Sequence, residues 1–132
     1  MWRLLINIIV VNIVLLSWSP TIQASTAGLI VVTQCESTEI QLSYHCTFVI
    51  QDKKTKKPVD NIKLIIGADM PSMPMAHHIR PVLATKTEEI GVFNARIQLA
   101  MYGKWLLTIK VTGSRNDILV DTVTFNKTMP FL

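Results

Sequence analysis

Residues 70–78 read Met-Pro-Ser-Met-Pro-Met-Ala-His-His, so three methionines and two histidines fall within nine positions. Thioether sulfur and imidazole nitrogen are soft-to-borderline donors that suit Cu(I) and not the hard cations. Pro71 and Pro74 exclude a regular helix through the segment, and a plain loop would draw on Gly, Asn, Asp and Ser instead of methionine. Met73, Met75, His77 and His78 are therefore candidate copper ligands. The competing use is an apolar loop folded over the core, because methionine fills irregular gaps well. Met70, immediately before Pro71, fits that covering role best. Thioethers are neutral and do not oxidise to disulfides, which favours them over thiolates for carrying Cu(I) in an oxidising compartment.

The chain has two cysteines, Cys35 and Cys46. An even count in an exported chain points to a disulfide. In the chain-entropy picture, closing so short a loop stabilises by roughly 3 kcal/mol. The same two thiols could instead ligate copper or form a redox pair, although their spacing is not C-x-x-C. A disulfide would remove both sulfurs from the ligand set and leave methionine and histidine to do the binding.

The export reading rests on the N-terminus. Arg3 is followed by an apolar run over residues 4–18, then Pro20, then Ala24 as a small residue at a cleavage point. Charge, apolar run and small residue in that order form a signal segment. The run is shorter than the roughly 20 residues of a membrane span, although an uncleaved anchor is the alternative. The expected organisation is a signal segment over 1–24 and one domain over 25–132, in an extracytoplasmic (periplasmic) setting. The formal net charge is +4. Much of it sits in Lys53, Lys54, Lys56 and Lys57, which read as a solvated hairpin tip before Pro58. A membrane surface is within reach of such a cluster. Nucleic-acid binding is not, since no aromatics interleave for base stacking.

Alternation with period two organises the domain. Leu29, Val31, Thr33 and Cys35 share one face of a first strand. Ile40, Leu42, Tyr44, Cys46, Phe48 and Ile50 share the inward face of a second, which leaves His45 outward. Ile62, Leu64 and Ile66 mark a third, and residues 79–87 an extended fourth. Phe93, Ala95, Ile97, Leu99 and Met101 mark the next inward face, followed by Trp105, Leu107, Ile109 and Val111. A final strand covers 119–125. About seven short strands predict an antiparallel, immunoglobulin-like β-sandwich. If the turn at 88–91 joins its flanking strands symmetrically, paired positions sum to 179 and His78 lies opposite Met101. Directly opposed side chains have Cβ atoms about 5 Å apart, which brings Met101 into the candidate site. By the same alternation, Met101 is also the last inward residue of its strand.

No paired-carboxylate motif, nucleophile elbow or phosphate loop is present, so the sequence points to a binding protein and not an enzyme. The stretch Met70-Pro71-Ser72-Met73-Pro74-Met75 with its histidines, then Gly91-Val92-Phe93, then Met101-Tyr102-Gly103-Lys104-Trp105, resembles the YtkA/FixH-like family of copper-associated domains over residues 59–125. The resemblance implies a small β-sandwich with a role in copper handling, linked to cytochrome oxidase assembly or copper efflux. It also places Met73, Met75, a histidine at 77 or 78, and Met101 at the motif's ligand positions.

Overall fold

A computed structural model of the chain describes residues 28–74 and 77–129. The expected signal segment and Met75 lie outside the described residues. Eight strands follow in order: β1 (Leu29–Ser37), β2 (Ser43–Asp52), β3 (Ile62–Asp69), β4 (Val82–Leu83), β5 (Thr85–Lys86), β6 (Val92–Gln98), β7 (Gly103–Gly113) and β8 (Asp117–Phe125). They form two antiparallel sheets in the orders β1-β2-β6-β5 and β4-β3-β7-β8. This is the strand arrangement of an immunoglobulin-like sandwich with an extra edge strand on the second sheet.

The core is made by the faces that alternation assigns inward. Tyr44, Cys46, Phe48 and Ile50 of β2 meet Phe93, Ala95 and Ile97 of β6. Across from them pack Ile62, Leu64, Ile66 and Ala68 of β3 with Trp105, Leu107, Ile109 and Val111 of β7, all buried. Fully burying side chains of this size is worth about 1.5–3 kcal/mol each, and a slip of one residue would turn a whole face into water. Cys35 and Cys46 are directly opposed on β1 and β2 with Cα atoms 4.1 Å apart, and they form a disulfide.

Three expectations need correction. The second strand begins at Ser43 and not Ile40. Leu42 takes a left-handed φ of 61°, and the Ser43 amide donates to the Ile40 carbonyl at 3.1 Å, so the chain is still turning there. Ile40 is left 57 % exposed. The extended stretch 79–87 is two strands. The predicted register holds locally, with Thr85 opposite Asn94 and Lys86 opposite Phe93. At the buried Ala84, however, the chain crosses between sheets, and Val82 and Leu83 pair with Ile66 and Ile65 of β3. The pairing of His78 with Met101 is consequently not formed, and His78 bridges Asp69. Finally, Met101 does not continue the buried face. Leu99 is its last member, and Met101 is 37 % exposed in the turn beyond.

Candidate metal centre

The antiparallel registers place four segments at one end of the sandwich. These are the β1–β2 turn, the loop leaving β3, the β6–β7 turn and the chain after β8. Met73, His77, His78 and Met101 all belong to this end. What fixes them can be followed residue by residue.

Met70 continues the inward face of β3 and is buried at 4 % exposure. The Met73 amide donates to the Met70 carbonyl at 3.0 Å, closing a turn with Pro71 and Ser72 at its centre. Proline at the second position of such a turn has its φ already set. Met70 is thus the covering residue and Met73 the projecting one, 45 % exposed. Leaving that thioether in water forgoes much of the burial free energy open to methionine.

Met101 is held differently. The Trp105 indole Nε1 donates to the Met101 carbonyl at 3.2 Å, while the ring itself is fully buried. Gly103 lies between them at φ +134°, and a Cβ there would stand 3.0 Å from the Met70 methyl. Glycine at 103 therefore serves both the backbone conformation and the close approach of Met70. These contacts give the Met-x-Gly-x-Trp pattern a physical meaning. Tryptophan anchors the turn, glycine admits Met70, and the Met101 side chain remains at the surface.

On the far side of the loop, the Ile79 amide donates to the Ala68 carbonyl at 3.2 Å and His78 bridges Asp69. Three steps separate Ile66 from Asp69 and four separate Val82 from His78, so the returning chain carries one extra residue. The irregularity falls at Arg80 and Pro81, where proline has no amide to offer a ladder. His78 is exposed and His77 half-buried.

The donors brought to this end are two exposed thioethers and the paired histidines. Among the described residues no group of three or more His, Cys, Asp or Glu side chains is assembled. A site of three ligands here would therefore draw on sulfur, and the donor chemistry fits a soft monovalent ion. Cys35 and Cys46 are joined to each other. His45 faces outward between Glu36 and Arg96 on the opposite sheet. Asp69 was not singled out by sequence. Its outward parity on β3 was legible, but its partner could be found only once the chain was known to change sheets.

Beside the Met101 turn lies a cavity of about 320 Å³ lined by Ile40, Ser43, Tyr44, Tyr102 and Lys127 among others. The Tyr44 hydroxyl donates to the Asn126 carbonyl at 2.6 Å. Burial pushes the Tyr44 phenol pKa up, and the neighbouring Tyr102 adds to the shift.

A family model described as YtkA-like matches residues 34–110, more than half of the chain. The match takes in both cysteines, residues 70–78 and the Met101–Trp105 motif. No curated protein and no solved structure matches this chain.

Proposed function

The chain belongs to the YtkA-like family, and from that membership we propose that it is an exported copper-binding protein. It acts as a Cu(I) carrier or chaperone in copper delivery or tolerance. The observation that carries this reading is the exposure of Met73, Met101 and His78 at one end of a rigid sandwich. Side chains with burial to gain are held out by a Pro-turn, an indole hydrogen bond and a strand bridge. Met73, Met75, Met101 and one histidine would hold the ion. The partners are components of cytochrome oxidase assembly or copper efflux. The setting is extracytoplasmic, either free in the periplasm or tethered by residues 1–24. The disulfide accords with an oxidising compartment. No catalytic role is assigned.

X-ray absorption of the Cu(I)-loaded chain tests the ligand set. The reading predicts mostly sulfur neighbours with nitrogen as the minority, and loss of sulfur in Met73→Leu/Met75→Leu. An all-nitrogen or oxygen shell would contradict it.

A second reading makes this end a docking surface for an envelope partner without metal. It is favoured by exposed Ile40 and Met73 and by the cavity beside Tyr102, since methionine surfaces adapt to their partners. The same Met→Leu variant separates the two. It abolishes copper binding on the first reading and largely preserves apolar docking on the second.

A further inference from the structure

The turn between β2 and β3 directs its amides inward and leaves its ammonium groups outside. The Asp52 carboxylate accepts the Lys54 and Thr55 amides, each at 2.9 Å, and the Asp52 carbonyl accepts the Lys56 amide at 2.9 Å. The Lys57 amide donates to the Thr55 hydroxyl at 3.3 Å, and the Lys53 amide to the Gly28 carbonyl at 3.0 Å. Lys56 takes a left-handed φ of 62°, a backbone position that glycine or asparagine adopts more readily. Lys53, Lys54, Lys56 and Lys57 are all exposed. Among the described residues none of these four is in an ion pair, because Asp52 turns to Arg115 and Asp60 to Lys86. The opposing charges at this end are Glu88 and Glu89, exposed on the turn before β6.

The Lys53–Gly28 bond also locates the entry of the chain. Leu29 lies opposite Asp52, so the domain begins beside the lysine turn. Ser37, eight steps along β1, reaches the methionine end, about 27 Å away at the usual rise of a strand. Residues 19–27 separate the entry from the apolar run over 4–18, and fully extended they span at most about 32 Å.

We propose that the lysine-rich turn is an electrostatic docking surface for a bilayer containing anionic phospholipid. Docked there, the domain stands with its methionine end facing away from the membrane. A free phosphate ion would need converging donors, such as the backbone amides of an anion-binding nest. Here the amides of residues 53–57 are all bonded within the fold, so only the mobile ammonium groups remain. Four hydrated point charges on flexible stems suit a plane of headgroups that offers no fixed geometry. Each lysine drawn to such a surface favours docking about fivefold. Residues 4–18, where retained, bring the surface to the bilayer, and the lysines set the orientation. None of this rests on the copper reading.

The test places the 15N-labelled full chain in lipid nanodiscs carrying a gadolinium-chelating lipid, which broadens amide signals near the membrane plane. The discs contain phosphatidylcholine alone or mixed with phosphatidylglycerol. In the mixed discs the amides of Lys53 to Lys57 should broaden while those of Met73 and Met101 stay sharp. The preference should vanish in phosphatidylcholine and fade as sodium chloride is raised. Lys53→Gln/Lys54→Gln/Lys56→Gln/Lys57→Gln should remove it with the sheet signals unmoved, whereas Glu88→Gln/Glu89→Gln should strengthen it. Inorganic phosphate should release the turn no better than chloride at equal ionic strength.

Equal broadening in the two kinds of disc, or in the glutamine-for-lysine variant, overturns the proposal, as does broadening centred on the methionine end. Release by phosphate well below the effective chloride concentration overturns it in favour of a free-anion site. Each of these results can be read whether or not the chain binds Cu(I).

Discussion

The two ends of the sandwich are both made of loops joining antiparallel strands, yet they dispose of their functional groups in opposite ways. At the lysine-rich end two aspartates, Asp52 and Asp60, are taken up by structure. Asp52 accepts the amides of Lys54 and Thr55, each at 2.9 Å, and the Arg115 guanidinium at 3.0 Å. These bonds, led by the Thr55 amide and then Arg115, lower its pKa to about 2. Asp60 pairs with Lys86 and accepts the Asn61 amide, which lowers its pKa as well. The Lys53–Lys57 cluster is thus carried on a turn capped from within. Gly91 at the same end sits so close to Pro58 and Ile50 that a Cβ would come within 3 Å of both.

At the methionine end the locking is done by groups that are not candidate donors. Met70, Gly103 and the Trp105 indole hold the turns, and the thioethers of Met73 and Met101 remain outside. One end spends its acceptors on rigidity, and the other keeps its soft donors available. That division, more than the count of methionines, makes the second end the place to look for binding.

Substitutions can break or sharpen this contrast, beginning with the largest effect. Trp105→Ala should destabilise the domain by about 3–5 kcal/mol, as expected for a large buried aromatic, and should release the Met101 turn with it. Urea denaturation measures the loss. Cys35→Ser/Cys46→Ser should cost roughly 3 kcal/mol on the chain-entropy scale while leaving Cu(I) affinity near the parent value. A large fall in affinity in the folded variant would return the cysteines to the ligand set.

Gly103→Ala should cost about 1–3 kcal/mol, from a strained backbone and from contact with the Met70 methyl. Combining it with Met70→Ala should give a non-additive result in a double-mutant cycle. Additivity would show that the two residues do not meet as described. The smallest effect belongs to the other end. The Asp52 pKa is depressed on folding, so its contribution is present above the unfolded carboxylate value of about 3.9. It is lost as pH falls toward about 2. Asp52→Asn should flatten the acid side of the stability profile over that window and leave Cu(I) affinity unchanged, as followed by denaturation across pH.

Much of this architecture was legible from alternation, because each sheet has one wet and one dry face. Tyr44 to Ile50, Phe93 to Leu99 and Trp105 to Val111 could be assigned by parity alone. Two features could not. Ile40 looked like another inward residue, but the left-handed backbone at Leu42 ends the periodicity before it. The register at Thr85 and Asn94 was right, yet extending it to His78 failed because the strand leaves one sheet for the other at Ala84. Local pairing rules carry no information about such a crossing, which depends on which sheet edges are open. At the methionine end, the burial of Met70 agrees with the covering role its type and place before Pro71 suggest, while the backbone bridge of His78 to Asp69 needed the change of sheet.

The most direct test of the central claim is an anaerobic Cu(I) competition titration of the full chain beside Met73→Leu/Met75→Leu/His78→Ala. The account predicts one tight equivalent in the parent and its loss in a variant whose denaturation profile is unchanged. A parent that binds no Cu(I) tightly, or a folded variant that binds as the parent does, would contradict it.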